Sequence, residues 1–215
     1  MLVMNQVVEA IRVRIRAIVR VCARILNRAT GGRLSANTVT IVGTLAHIPI
    51  AVLIALGHFN ILAAVLLLIF GLFDTLDGEL ARLQNRASEN GMLLDASTDR
   101  MKEVMLYAGI AYALAQGSHP TLAAVAVAAC GASLCVSYIK AKGEAAVAAR
   151  GQAIPHATLN KLFKDGLLTF ELRIFVLIVG LVAHQLAIVA GVIAVLASYT
   201  ALQRLVRISK ALRHV

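Results

Sequence analysis

From residue 4 to residue 28, apolar side chains return at helical spacing. Val8, Ile11, Ile15, Ile18, Val19, Cys22 and Ile25 mark one face, and Arg12, Arg16, Arg20 and Arg24 descend another. This two-sided pattern predicts an amphipathic helix, lying in a membrane interface or docked on the protein's own polar face. Beyond residue 35 the pattern turns apolar all round. Runs at about 38–57, 60–80, 92–116, 120–140, 173–190 and 187–206 are each long enough to cross the hydrocarbon layer of a bilayer. Only Ala183-His184-Gln185 separates the last two. The expectation is an all-α integral membrane fold. Residues 1–34 form an amphipathic juxtamembrane helix and turn, and residues 35–215 carry six transmembrane helices. Ser35 or Asn37 is placed to cap the first of these, and Pro49 should kink it. Residues 143–172 are the longest stretch outside the runs and predict a loop with a short helix.

Composition agrees. The 215 residues are 60% hydrophobic, contain no Trp and have a mean hydropathy of +0.82. A water-soluble domain of this size could not hide so much apolar surface. The N-terminus offers no short apolar core with a small-residue cleavage site, so no signal peptide is expected. The net charge of +10 would suggest nucleic-acid binding in a soluble protein, but its placement argues otherwise. All 21 Lys and Arg fall within residues 12–33, 82–102, 140–173 and 204–213, and the intervening turns near 57–60, 116–120 and 183–185 carry none. With six crossings the basic clusters share one side, which the positive-inside rule makes cytoplasmic together with both termini. The charge then serves topology and attraction to anionic lipid, with no nucleic-acid partner implied. Cys22, Cys130 and Cys135 lack metal-ligand spacing and read as small apolar residues.

Against this background four carboxylates are conspicuous: Asp74, Asp77, Asp95 and Asp99. A carboxylate at bilayer depth costs roughly 2.5–3.5 kcal/mol on insertion scales, so these groups should face one another, water or a cation. Asp74 and Asp77 are separated by i, i+3 and Asp95 and Asp99 by i, i+4, so each pair shares a helix face. Two such faces in contact would make a box of hard oxygen donors suited to Mg²⁺, Mn²⁺ or Ca²⁺. Gly78, Ala81 and Gly91 line those faces with small residues, and Arg82 adds a fixed cation for a phosphate. Two ions in such a box could clamp a pyrophosphate. The residues alone therefore imply metal-assisted phosphoryl transfer or hydrolysis at the cytoplasmic mouth of the helices.

The whole run reads D-x2-D-G-x2-A-R-x8-G-x3-D-x3-D. It resembles the signature of the CDP-alcohol phosphotransferase (phosphatidyltransferase) family, membrane enzymes of phospholipid synthesis. Eight fixed positions recur by chance on the order of 10⁻⁸ per starting point. The resemblance implies a CDP-linked lipid donor such as CDP-diacylglycerol, attack of a small polar alcohol on its β-phosphate, and release of CMP. It implies two divalent cations, Mg²⁺ or Mn²⁺, held by Asp74, Asp77, Asp95 and Asp99, with Asp99 also the general base. Gly78, Ala81 and Arg82 would bind the CDP moiety. Asn37 and Thr40, in a stretch similar to the family's Pro-Asn-x-x-Thr with Ala36 for the Pro, would join them. Family members look like homodimers.

The form Asp95-x3-Asp99-Arg100 is similar to the branch that uses inositol phosphate. Lys140, Lys142 and Arg173 match basic positions there, which would make them the acceptor-phosphate pocket; the plainer reading is cations snorkelling to the interface. Leu172-Arg173 stands where that branch often has Glu-Arg. Glycerol 3-phosphate or another alcohol is the alternative acceptor. A cation transporter is the reading from a different class, since intramembrane acids also mark ion paths, but such a site belongs at mid-bilayer. Among the other polar residues, His47 predicts a helix–helix hydrogen bond, Glu79 points away from the Asp74 stripe, Glu103 is a neighbouring or solvated acid, and Glu144 is spaced to pair with Lys140. His156 reads as an exposed loop residue.

Overall fold

The computed structural model describes the backbone of residues 2–149 and 168–213, and within these ranges the side chains from Val13 to Leu212. All regular structure among these residues is helical: α1 (Leu2–Ala29), α2 (Ala36–Leu56), α3 (Asn60–Gly71), α4 (Phe73–Leu83), α5 (Glu89–Ala115), a 3₁₀ turn at Pro120–Leu122, α6 (Ala123–Ala149), α7 (Phe170–Val182) and α8 (Leu186–Arg213). Four stretches among the described residues are long and apolar enough to cross a membrane: Ala36–Leu56, Asn60–Leu83, Pro120–Ala149 and Leu186–Leu212. They match four of the six expected spans. Helix α5 has the length, about 40 Å at 1.5 Å per residue, but carries the acids in its first half. Helix α7 has 13 residues, about 20 Å, against a hydrocarbon layer of roughly 30 Å. Six crossings are therefore not established by these helices alone.

The helix ends follow local chemistry. Gly31 and Gly32 take positive φ, and the Gly32 amide donates to Asn27 O at 2.8 Å, closing α1. Ser35 caps α2: its hydroxyl accepts from the Thr38 amide at 3.1 Å, deciding between the two candidate caps. Helix α2 continues through Pro49 to Leu56. Asn85 closes α4 in the left-handed region, which Asn tolerates better than most residues, and His184 does so between α7 and α8. The expected loop begins later than 143, because α6 runs on to Ala149; residues 150–167, with His156, lie outside the description, as do the side chains of Val8, Ile11 and Arg12.

The chain divides into two compact units. The first comprises Met1–Ile50 and Val65–Lys102. Here α1 lies against α4, with Val19 and Ala23 buried and Gln84 donating to both Asn27 Oδ1 (2.9 Å) and Leu34 O (2.8 Å). Ile18 and Ile25 of α1 remain exposed. A Cβ on Gly43 of α2 would come within 3.1 Å of Phe73 Cβ, so glycine permits that close approach to α4.

The second unit comprises Ala51–Ala64 and Glu103–Val215. Helices α6 and α8 pack along each other, with Val147 and Ile208 buried together. A Cβ on Gly109 would collide with the Ala51 carbonyl, and one on Gly180 with the Val189 side chain. Two pairs of polar groups meet inside it: Tyr107 Oη with Ser133 Oγ at 3.1 Å, and Asn60 Nδ2 with His184 Nδ1 at 3.2 Å.

Candidate metal centre

The acids lie within the first unit. Asp74 is in the first turn of α4 and Asp77 one turn on; Asp95 and Asp99 occupy successive turns of α5. One ligand oxygen from each of Asp74, Asp95 and Asp99 lies within 4.8 Å of the others. This is the spacing of donors around a shared cation. Asp95 Oδ1 is buried and meets no hydrogen-bond partner among the described residues. An unpartnered buried carboxylate oxygen is costly, and a hard divalent ion is the ligand that would satisfy it. The donor set thus fits a metal.

Asp77 is held differently. It is 6% exposed and accepts a hydrogen bond from the Thr40 hydroxyl at 2.5 Å, so the expected four-carboxylate box is three acids plus one engaged by α2. Thr40, expected at the nucleotide, touches Asp77 and back-bonds to Ala36 O at 3.1 Å. Asn37 is exposed, with its Oδ1 beside Gly91, where an added Cβ would sit 3.7 Å away.

The Arg82 guanidinium folds over Gly78, where an added Cβ would sit 3.4 Å from its Nη2. Arg82 Nη2 also donates to Glu79 Oε1 at 2.9 Å, and Arg20 of α1 donates to Glu79 Oε2 at 3.1 Å. Glu79 does face away from the Asp74 stripe, toward a pocket of about 310 Å³ lined by Arg20, Ala23, Arg24, Arg82 and Leu83. Ala81 is half-buried. His47 is buried and bonds through Nδ1 to Gly43 O at 2.7 Å, one turn earlier on α2 itself, so the expected helix–helix bond is instead a bond within one helix.

One residue of the cluster went unmarked in the sequence. Lys102 is 2% exposed, and its ammonium donates to Asp74 Oδ1 and, at 3.3 Å, to Asp99 Oδ1. Arg100 approaches Asp99 from outside at 3.5 Å. The available signal was its i, i+3 spacing from Asp99 on the same helix.

The three candidate acceptor cations belong to the second unit. Arg173 is 1% exposed; its Nε donates to Glu103 Oε1 at 2.9 Å and its Nη1 to Leu168 O at 3.2 Å. Lys140 is exposed and pairs with Glu144 at 3.8 Å, as its spacing suggested. Lys142 lies over the Tyr138 ring at 5.8 Å.

The CDP-alcohol phosphatidyltransferase family model matches residues 33–203. A phosphatidylinositol phosphate synthase of Corynebacterium glutamicum is 30% identical over 188 residues, 83% of this chain and 80% of that protein. One from Mycobacteroides abscessus is 36% identical over 111 residues, 51% of this chain and 50% of that protein. Among solved structures, the Mycobacterium tuberculosis phosphatidylinositol phosphate synthase with CDP-DAG bound superposes with a TM-score of 0.74 at 26% identity, covering 89% of this chain and 94% of that one. The same enzyme in complex with manganese and citrate gives 0.73 over 88% of each chain, also at 26% identity.

Proposed function

This chain belongs to the CDP-alcohol phosphatidyltransferase family, and we propose that it makes a phosphatidylinositol phosphate. It transfers the phosphatidyl group of CDP-diacylglycerol to a hydroxyl of inositol phosphate and releases CMP. The observation that carries the reading is the convergence of Asp74, Asp95 and Asp99 on one ion-sized space, at the motif positions the family uses. The acceptor rests on the names of the relatives and on the Asp99-Arg100 pair.

Asp74, Asp95 and Asp99, joined by Asp77, would hold divalent cations, Mg²⁺ or Mn²⁺, and two ions are the proposed complement. Bound there, such ions would neutralise the pyrophosphate and stabilise charge on the attacking and leaving oxygens. Arg82 reaches a CDP phosphate with its fork of N–H donors, and Gly78 and Ala81 leave room beside it. Asn37 and Thr40 contribute from the start of α2. Asp99 takes the proton of the acceptor hydroxyl as that oxygen attacks the β-phosphorus. The bond from the β-phosphorus to the bridging oxygen breaks, and the electron pair leaves with CMP. Lys140, Lys142 and Arg173 are the proposed contacts of the acceptor phosphate, an assignment supported by the motif.

The protein is an integral membrane enzyme. In the proposed topology α5 and α7 complete six crossings, α1 lies in the interface, and the basic clusters, both termini and the site face the cytoplasm. The family likeness supports a homodimer. The decisive experiment measures CMP release by purified protein with CDP-diacylglycerol and Mg²⁺ or Mn²⁺ against inositol 1-phosphate, glycerol 3-phosphate, serine and inositol. Release that depends on inositol phosphate is expected. Dependence on another acceptor would retain the reaction and replace the product, and failure to bind CDP or CDP-lipid would overturn the reading.

A further inference from the structure

The ammonium of Lys102 stands among the carboxylates that would hold a metal. Its side chain is 2% exposed, and both of its carboxylate partners, Asp74 and Asp99, belong to the three-acid cluster. A lysine head buried this deeply is unusual unless it is paired, and here the pairing is to the candidate ligands themselves. Three carboxylates crowded within 4.8 Å repel one another strongly in a poorly screened setting. One ammonium reduces the local charge from three negative to two negative, the charge a single divalent ion cancels. Lysine suits a temporary occupant: its charge is compact and its four-carbon stem can withdraw without moving α5. An arginine fork would hold its partners in a fixed plane.

We infer that Lys102 is the resident counter-ion of the acid cluster, holding Asp74 and Asp99 together without metal and yielding those oxygens to an incoming divalent ion. Lys102 is thus a positioning residue that sets metal affinity. This inference rests on reading Asp74, Asp95 and Asp99 as metal ligands. Removing the competing cation strengthens metal binding while weakening the metal-free protein.

The test is a Mn²⁺ titration of the purified full chain in detergent, without nucleotide, at one pH, with free Mn²⁺ read by electron paramagnetic resonance. Wild type, Lys102→Met and Asp95→Asn are compared, with Lys102→Gln in reserve should the methionine variant not fold. Lys102→Met should bind Mn²⁺ about ten- to a hundredfold more tightly, the range that loss of one charge-assisted hydrogen bond sets. Its metal-free melting temperature should fall, and Mn²⁺ should raise it by more than in wild type. Lys102→Arg, which keeps the charge, should bind no more tightly than wild type. Equal or weaker binding by Lys102→Met, with wild-type binding lost in Asp95→Asn, would overturn this inference and leave the metal reading standing. Absence of Mn²⁺ binding by all of the proteins would overturn both.

Discussion

Glu103 and Arg173, 70 positions apart, meet at 2.9 Å with both side chains only 2% exposed. Neither charge could be buried there alone. Removing one partner by Glu103→Gln or Arg173→Met should therefore cost about 3–5 kcal/mol, because the other loses its opposite charge in a buried setting. Chemical denaturation in detergent would measure this. The double variant should recover much of the loss, and simple additivity of the two singles would show that the pair is not coupled.

For Asp99 the proposed role is proton removal. Asp99→Asn should lower CMP release by about 10²–10⁴-fold, the range of general-base catalysis, while CDP-lipid binding changes little. Calorimetry alongside turnover separates the two, and parallel loss of both would remove the base from the mechanism. Chelation should stop turnover in wild type, and Mn²⁺ or Mg²⁺ should restore it.

Thr40 engages Asp77 through a hydroxyl contact of 2.5 Å. Replacing it with valine leaves a buried carboxylate without that donor, a loss of about 1–3 kcal/mol in the metal-free protein. If Asp77 also ligates an ion, saturating Mn²⁺ should shrink the deficit. Melting curves with and without Mn²⁺ decide this; an unchanged deficit would take Asp77 out of the ligand set.

Glu79 ties Arg20 of α1 and Arg82 of α4 to one carboxylate. Glu79→Gln should free Arg82 to wander and raise the KM for the CDP donor about two- to tenfold, the worth of one ordinary hydrogen bond, with kcat nearly unchanged. A fall in kcat at constant KM would place Glu79 nearer the chemistry than its contacts do.

What was legible in the sequence was what helical geometry decides over a few residues. The i, i+3 and i, i+4 acids, the Ser35 cap, the Lys140–Glu144 pair and the turn at 183–185 all follow from local spacing. The longer-range assignments were less visible. The Thr40 hydroxyl that engages Asp77 lies 37 positions earlier, beyond the reach of local spacing. Lys102 was absorbed into a basic cluster that explained it as topology, and its spacing from Asp99 went unweighed. Glu103 was read as a neighbouring or solvated acid because its partner comes from another helix. The second expected span is two helices, since the ladder tightens at Gly71-Leu72, where the Leu72 amide bonds Ile69 O at 3.2 Å before α4 begins.

The glycines divide in a way that matters to anyone wishing to make this protein sturdier. Exchanging a helical glycine for alanine is a familiar route to thermostability, worth roughly 0.5–1 kcal/mol where the space is free. At Gly131, in the middle of α6, an added methyl would meet nothing within 4 Å, and the exchange should help. At Gly109 and Gly180 the same methyl would strike the Ala51 carbonyl or the Val189 side chain. Those two helix crossings are spaced by an atom that is not there, and the substitution that stiffens α6 would wedge them apart.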